Sequence, residues 1–269
     1  MKTISILGCG WLGLPLGESL STQNKTIKGS YQSSETHQTL TQTAIKPYYI
    51  SCQKEITGKQ VSDFFTTDLL IITLPFKRSF NPAELYLEQI NSIITMIKKQ
   101  NIPNVIFTSS TSIYPTQNNI VTEATPIQPS HERQHVLHDV EQSLLNITSC
   151  QTTILRLAGL YGKSRKIGQF FKPKKNKINP HAQINLIHLT DVINIITQLI
   201  KSPLKNTIFN LCSDEHPTKL DCYSYHNTSL TAADFNTNNN TPYKIVCNKK
   251  IKNTLNYIFK YPNPRSPYE

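Results

Sequence analysis

The chain has 269 residues, six cysteines and a formal net charge of +11. This length can bury a sizeable core in one large or two small domains. No apolar stretch approaches the roughly 18 residues of a membrane span, and the amino-terminus lacks the cleavage pattern of a signal peptide. The cysteines are scattered without a C-x-x-C pair, so the sequence predicts a cytoplasmic protein with reduced thiols, no bound metal and no membrane contact.

The excess of positive charge is confined to the second half of the chain. Residues 1–150 contain 11 Lys and Arg against 11 Asp and Glu, whereas residues 151–269 contain 17 against 6. Such a basic part attracts a phosphorylated or nucleotide-linked substrate or a nucleic acid, although a solvated lysine-rich surface gives the same balance. Because no nucleic-acid-binding motif accompanies the charge, we expect a small anionic substrate and no specific nucleic acid.

Apolar runs of strand length alternate with helical patterns along most of the chain, which is typical of βαβ units and a parallel sheet. The predicted strands are 3–7, 26–31, 47–51, 69–74, 104–109, 152–157 and 207–211, and the predicted helices are 82–99, 133–145 and 190–200.

Thr190 and Asp191 lie where the side chain that caps the last of these helices is expected. From residue 163 the pattern loosens. The fold class is therefore α/β, a Rossmann-type doubly wound and mainly parallel sheet with a small C-terminal substrate-side lobe. We assign residues 1–162 to the dinucleotide-binding domain and residues 163–269 to the lobe, interleaved with the last strands and helices.

The first motif is a glycine turn after the first predicted strand, formed by Gly8, Gly10 and Gly13 with Trp11 and Leu12 inside it. A strand, a G-x-G-x-x-G turn and a helix in this order cradle the pyrophosphate of a dinucleotide. A tight strand-to-helix turn in another kind of α/β protein is the alternative.

The exit of the second strand normally distinguishes NAD from NADP, since an acidic residue there binds the ribose 2′-hydroxyl. Residues 28–34 contain no acid, and Ser30 and Tyr31 offer hydroxyl groups with Lys28 close by. These residues favour NADP over NAD, although no arginine supplies a bidentate phosphate contact.

A hydroxyl cluster follows the fifth predicted strand, at residues 108–114. A hydroxyl at that place can hydrogen-bond a substrate carbonyl or alcohol, although Ser and Thr clusters also mark ordinary turns. Farther on, Lys163 and Arg165, with the lysines at 172–177, can hold an anion such as a diphosphate, or can form only a mobile basic loop.

The ordered motifs resemble those of the atypical and extended short-chain dehydrogenase/reductases, the NAD-dependent epimerase/dehydratase family, and within it the YeeZ-like bacterial branch. The resemblance covers essentially the whole chain. Its motifs are the glycine turn 8–13, the peptides 72–75 and 108–114, the stretch 155–162, residues 187–192 and 208–211, and the closing Tyr261-Pro262.

The resemblance implies roles for matching residues only. It makes Ser110 the catalytic residue that hydrogen-bonds the substrate oxygen, and it places Thr111 and Arg165 toward the substrate. It implies that Leu74 and Pro75 pack along the cofactor and that the backbone around Ala158 flanks the nicotinamide ring.

One departure concerns the Tyr-x-x-x-Lys pair of the family, for which Arg133 and Leu137 occupy the two positions. Neither residue exchanges a proton near neutral pH. Tyr114 and His135 are candidate replacements; His135 shares a helix face with His138, and a solvated face is the alternative for both histidines. The His135–His138 pair lacks a third metal ligand.

We therefore expect an NAD(P)-dependent oxidoreductase or an epimerase/dehydratase-type enzyme, as a monomer or a homodimer. A non-catalytic NAD(P)-sensing regulator or scaffold is the alternative. A 6-phosphogluconate-type dehydrogenase shares the glycine turn, but it would require a long all-helical C-terminal domain that residues 201–269 do not resemble.

Overall fold

A computed structural model describes residues 1–76, 82–170, 179–230, 234–235 and 242–268. In these ranges no helix is long and apolar enough to cross a membrane. The strands are β1 (Thr3–Leu7), β2 (Thr26–Tyr31), β3 (Lys46–Cys52), β4 (Ile56–Gly58), β5 (Leu69–Ile72), β6 (Asn104–Ser110), β7 (Asn119–Val121), β8 (Gln151–Leu157), β9 (Gly159–Tyr161), β10 (Leu186–His188), β11 (Thr207–Leu211) and β12 (Lys244–Val246). The α-helices are α1 (Gly13–Ser21), α2 (Ser34–Thr41), α3 (Val61–Phe65), α4 (Ala83–Lys99), α5 (Glu132–Leu145), α6 (Leu189–Leu199), α7 (Lys219–His226) and α8 (Lys249–Leu255).

The central sheet has eight strands in the order β11-β8-β6-β5-β1-β2-β3-β4. The pairs β1–β2, β1–β5, β2–β3 and β5–β6 are parallel, and only the edge strand β4 is antiparallel to its neighbour β3 among these pairs. The chain builds outward from β1 to β3 and then returns to the other side of β1 with β5. The predicted doubly wound, mainly parallel sheet is confirmed, and the order reverses between β1 and β5, where such sheets bind ligands.

All seven predicted strands and all three predicted helices are present. Their inner strands are continuous apolar runs, and residues 69–72 of β5 are fully buried, as expected of a strand covered on both faces. Helix α4 presents one buried stripe that includes Ile90, Ile93 and Ile97. Periodicity therefore predicted the elements that carry the core.

The predicted N-cap of α6 is wrong. The helix begins at Leu189, and the Nδ1 atom of His188 accepts the backbone N–H of Thr190 at 3.1 Å. Asp191 is fully buried, and its carboxylate accepts hydrogen bonds from the Tyr257 hydroxyl and from the backbone N–H groups of Lys260 and Tyr261. Asp191 therefore anchors the chain at residues 257–261.

The chain divides into two compact units. Unit 1 comprises Met1–Ile113, Pro129–Leu155 and Thr197–Ile208, with an apolar core between the sheet and helices α3, α4 and α5. Unit 2 comprises Tyr114–Gln128, Arg156–Ile196 and Phe209–Glu269. Its smaller core includes Tyr161, Leu186 and Tyr223, and it contains the parallel pairs β9–β10 and β7–β12. The predicted domain boundary after residue 162 stays a prediction.

Candidate cofactor and active site

The glycine turn lies between the end of β1 and the start of α1. Gly8 has φ of +107°, a conformation that side chains disfavour. A Cβ atom added at Gly13 would lie 2.2 Å from the carbonyl oxygen of Gly8. Only glycine at these two positions therefore allows α1 to pack this closely on the turn.

Gly10 differs from its two neighbours in the motif. It is exposed, and a Cβ atom added there would meet no atom within 4 Å. The packing of the described chain thus does not require a glycine at Gly10. A glycine is required there if the backbone must approach a pyrophosphate closely, so the turn fits a dinucleotide.

Side chains from the two strands beside β1 hold the turn. Ser30 at the end of β2 accepts a hydrogen bond from the Gly8 N–H at 2.8 Å, and Thr73 after β5 donates from its hydroxyl to the Gly8 carbonyl oxygen at 2.6 Å. The Cys9 N–H donates to the Ser30 carbonyl oxygen at 3.3 Å. The turn is therefore fixed from both sides before any ligand binds.

Lys28 is not available to a ribose phosphate, and this part of the NADP prediction is wrong. The residue is 6% exposed, and its ammonium group donates to the carbonyl oxygens of Asp63 and Thr66 and to the Asp63 carboxylate at 2.9 Å. All three ammonium donors are thus used at the end of α3, where a cation also stabilises the last carbonyl groups. Lys28 is a structural residue of unit 1.

Tyr31 at the end of β2 lies beside two other aromatic rings, and a capped helix follows the strand. The Tyr31 ring lies 4.5 Å from the His37 ring between centroids and 5.8 Å from the Tyr49 ring. Ser33 caps α2 by accepting the backbone N–H of Thr36 at 3.2 Å. Ser30 and Tyr31 lie at the carboxyl end of β2, and their role toward the ribose stays a prediction.

The segment after β5 contains Leu74 and Pro75. The Tyr86 hydroxyl donates to the Leu74 carbonyl oxygen at 3.0 Å, and Pro75 is exposed. The Phe76 carbonyl oxygen accepts a hydrogen bond from Arg133 Nη1 at 2.9 Å. This segment lies beside the glycine turn because Thr73, the residue directly before Leu74, is hydrogen-bonded to Gly8.

The segment after β6 contains Ser110, Thr111 and Ser112. Ser110 is half-buried at the end of the strand, and Thr111 is buried in the short 3-10 helix Thr111–Ile113. The Ser112 hydroxyl donates to Ser110 Oγ at 2.9 Å and accepts from Arg133 Nε at 2.8 Å. The structure thus connects Ser110, the predicted catalytic serine, to Arg133 through Ser112.

Tyr114 belongs to a different environment, in unit 2. It is fully buried; its hydroxyl donates to Asn210 Oδ1 at 2.7 Å and accepts from Arg156 Nη1 at 2.7 Å. Burial raises the pKa of Tyr114 above its ordinary value. These contacts fix the Tyr114 side chain within unit 2, and its catalytic role stays a prediction.

The remaining predicted site residues are dispersed. His135 is exposed on α5, and Leu137 is buried on the same helix. In unit 2, Ala158 is buried and its N–H donates to the Leu211 carbonyl oxygen at 2.9 Å, while Arg165 is exposed in a tight turn closed by Gly162. The lysines at 172–177 lie outside the described residues, and the roles of all these residues stay predictions.

Sequence reasoning missed two supporting residues, Thr73 and Ser112. Thr73 contacts the glycine turn, and a single hydroxyl next to a strand carries no distinguishing signal. Ser112 contacts Ser110 and lies within the hydroxyl cluster 108–114, where the sequence does not separate one hydroxyl from the next. The sequence marks Arg133 only as a departure from the Tyr-x-x-x-Lys pair. Its hydrogen bonds show a connected side chain, which no spacing rule predicts.

The reversal of strand order beside a G-x-G-x-x-G turn defines a Rossmann fold. No family model matches the chain. Solved structures with the same fold include dTDP-glucose 4,6-dehydratase of Bacillus anthracis in complex with NAD, at 12% identity and TM-score 0.76 over 98% of this chain and 94% of that one. UDP-glucuronic acid 4-epimerase of Bacillus cereus in complex with NAD matches at 15% identity and TM-score 0.77 over 96% and 94%.

A nearer relative defines the branch. The chain is 34% identical to Protein YeeZ of Escherichia coli K12 over 98% of each chain. The chain therefore belongs to the YeeZ family, as the motifs predicted.

Proposed function

We propose that the chain is an NAD(P)-dependent oxidoreductase or epimerase/dehydratase-type enzyme that acts on a small or nucleotide-linked anionic substrate. The observation that carries the proposal is the open side of Gly10, at the turn beside the reversal of strand order. The fold leaves room for a pyrophosphate there, and its own packing does not use that room.

The residues around the turn would hold the cofactor. The backbone of Gly8, Gly10 and Gly13 with Trp11 and Leu12 would bind the pyrophosphate, Ser30 and Tyr31 lie on the adenosine side, and Leu74 and Pro75 would flank the dinucleotide after β5. When bound, a nicotinamide supplies or accepts a hydride at its C4 atom.

The choice of cofactor rests on the end of β2. No carboxylate is present in residues 28–34 to bind a ribose 2′-hydroxyl, and a 2′-phosphate therefore meets no like charge in that segment. NADP remains the favoured cofactor on this ground. Lys28 contributes nothing to it.

Ser110 is the residue we assign to the substrate. Its hydroxyl lies at the end of β6, in line with the other strand ends that form the cofactor site in unit 1. It would donate a hydrogen bond to a substrate oxygen. A UDP-glucuronic acid 4-epimerase shares the fold, and a nucleotide-linked acid would suit the basic second half of this chain.

Thermal unfolding with NAD, NADH, NADP and NADPH tests cofactor binding. A ligand at ~100 times its dissociation constant adds about 2.7 kcal/mol to the free energy of unfolding, so a clear rise in melting temperature is expected with at least one of them. A Gly10→Val variant removes the open space without touching Gly8 or Gly13, and it should lose the shift. If no cofactor stabilises the wild-type protein, the proposal is wrong.

Turnover separates an enzyme from a non-catalytic NAD(P) sensor. Cofactor oxidation or reduction would be followed with carbonyl compounds, alcohols and sugar nucleotides. Ser110→Ala should lower turnover about 100-fold, the usual cost of one donor to a developing oxyanion, and should leave cofactor affinity within about twofold. Binding without turnover across the panel would instead favour the sensor, to which the Arg133 and Leu137 replacements also point.

A further inference from the structure

Arg133 has a defined partner on the substrate side of the cofactor site. We propose that Arg133 is a positioning residue that acts through Ser112 to fix Ser110 as a hydrogen-bond donor. The site then takes its ligand through an oxygen that only accepts, as in a carbonyl or a carboxylate. The identification of this ligand as the substrate rests on the proposed function, whereas the hydrogen-bond chain itself does not.

The direction of the chain begins with the chemistry of arginine. A guanidinium has only donors and keeps its proton at all ordinary pH values. Because Arg133 Nε lies 2.8 Å from Ser112 Oγ, the serine oxygen must accept that hydrogen bond. The proton of the Ser112 hydroxyl is then directed to another acceptor.

That acceptor is Ser110. The Ser112 hydroxyl donates to Ser110 Oγ at 2.9 Å, and the Ser112 backbone N–H donates to the same oxygen at 3.2 Å. A hydroxyl oxygen has two acceptor sites and one proton. Both acceptor sites of Ser110 are therefore engaged, and its own proton remains to be donated.

Within the described part of the chain, no residue accepts that proton. Ser110 is half-buried rather than enclosed, so a ligand can reach it. A hydroxyl that accepts from a chain headed by a cation is a stronger donor than an isolated one. The geometry thus matches a donor aimed at an oxygen that becomes more negative during reaction.

Arg133 also fixes the distance between two strand exits. Its Nη1 atom donates to the Phe76 carbonyl oxygen at 2.9 Å, and its guanidinium carbon lies 5.7 Å from the centre of the Phe76 ring. The same side chain therefore connects the segment after β5 with the one after β6. Lysine cannot replace it, because one ammonium lacks the planar fork that reaches both acceptors.

The first test uses the free protein and needs no cofactor. Nitrogen-15 NMR would follow exchange of the arginine Nε protons, with the Arg133 signal assigned by its loss in Arg133→Lys. We expect the Arg133 proton to exchange at least about tenfold more slowly than that of exposed Arg265, and Ser112→Ala should remove this protection. Ser143→Ala, which deletes an exposed hydroxyl on the same helix, should leave it unchanged. Equal exchange at both arginines, or no response to Ser112→Ala, overturns the chain.

The second test uses the reduced cofactor with phenanthrenequinone as a carbonyl probe. We expect Arg133→Lys and Ser112→Ala each to lower kcat about tenfold with the dissociation constant of the cofactor within about twofold, and the double variant to lose no more than either single one. Multiplication of the two losses would mean independent roles. Lys98→Gln removes an exposed charge from the neighbouring helix α4 and is the matched control.

The pH profile supplies a readout that a purely structural role would not move. The chain from Arg133 to Ser110 contains no group that titrates near neutral pH, so turnover of the probe should be flat between about pH 6 and pH 8. A neutral pKa in the wild-type profile that Arg133→Lys or Ser112→Ala shifts would mean that Arg133 acts on a titrating group and not through Ser112, and would overturn the proposal. If the wild-type protein binds no cofactor, the proposed function fails, and the exchange experiment alone decides the hydrogen-bond chain.

Discussion

Two clusters that pair an arginine with hydroxyl groups lie close together in the sequence but differ in the structure. In unit 1, Arg133 is followed by Ser112 and Ser110, which are half-buried, and the last hydroxyl has a proton to donate. In unit 2, Arg156 and Tyr114 are buried, and the tyrosine hydroxyl both accepts and donates. In the first cluster, which we call the open cluster (Arg133, Ser112 and Ser110), one hydroxyl proton is left for a ligand. In the second, the closed cluster (Arg156, Tyr114 and Asn210), the hydroxyl is used within the protein, so this cluster contributes to stability alone.

This difference explains why the sequence of segment 108–114 does not tell which of its hydroxyl groups is catalytic. Its hydroxyl groups look alike in the sequence, and both Ser110 and Tyr114 were reasonable catalytic candidates. Burial and hydrogen-bond saturation separate them, and both properties depend on residues far away in the chain: Asn210 and Arg156 for Tyr114, and Arg133 for Ser110.

The largest expected effect comes from opening the closed cluster. Tyr114→Phe removes the hydroxyl and leaves the buried Arg156 guanidinium and the Asn210 carbonyl without one partner each, which should lower the free energy of unfolding by about 3 kcal/mol. Ser112→Ala in the open cluster should cost less than about 1 kcal/mol, because water can replace the missing hydroxyl. Urea unfolding of both variants measures the difference.

The matched control is Tyr49→Phe, which deletes a tyrosine hydroxyl from an exposed side chain and should change stability by less than about 0.5 kcal/mol. Equal losses for Tyr114→Phe and Ser112→Ala would mean that the two clusters do not differ in kind.

The sequence predicted the sheet well because its strands are apolar runs and the period of α4 is clear. It missed α2 and α7, which are polar helices without an apolar stripe. Both have a hydroxyl at the N-cap, Ser33 for α2 and Thr218 for α7, whose side chains accept the N–H groups of Thr36 and Asp221. That spacing is a signal that could have located them.

The site was predictable to a different extent. The glycine turn follows from the sequence because the backbone alone builds it. The role of Lys28 does not follow from the sequence, because an ammonium on a flexible side chain binds whichever acceptors the fold brings near it. Here these acceptors belong to Asp63 and Thr66, 35 and 38 residues away.

An intermediate effect is expected from a buried histidine of unit 2. His188 is enclosed by Tyr161 and Tyr261, and burial, followed by the charge of Lys260, lowers its pKa to about 4 from its ordinary value of 6.5. The unfolded chain therefore binds a proton at a higher pH than the folded one does. Stability is fully present above the unfolded pKa and declines as the pH falls toward 4, by about 2 kcal/mol between pH 7 and pH 5.

His188→Asn tests this contribution, since asparagine keeps an acceptor for the Thr190 N–H at the start of α6 and does not titrate. Urea unfolding at both pH values should show that the variant loses stability by about 2 kcal/mol less than the wild-type protein on acidification. The same acid sensitivity in both proteins would place its origin elsewhere. The open cluster of unit 1 contributes no such dependence, because its groups do not titrate in this range.

The smallest expected effect is the one on cofactor preference, and it concerns Lys28, whose ammonium group is bound within unit 1. Its three donors are used by Asp63 and Thr66, so Lys28→Met should change the ratio of NADP to NAD affinity by less than about twofold while it lowers the free energy of unfolding by about 2 kcal/mol. Lys46→Met, which removes an exposed lysine from β3, is the control for charge alone. Calorimetric titration with both cofactors measures the ratio. A tenfold loss of affinity for NADP alone would mean that the Lys28 ammonium leaves α3 to bind the ribose phosphate. The hydrogen bonds of the free protein would then not be enough to distinguish a closed cluster from an open one.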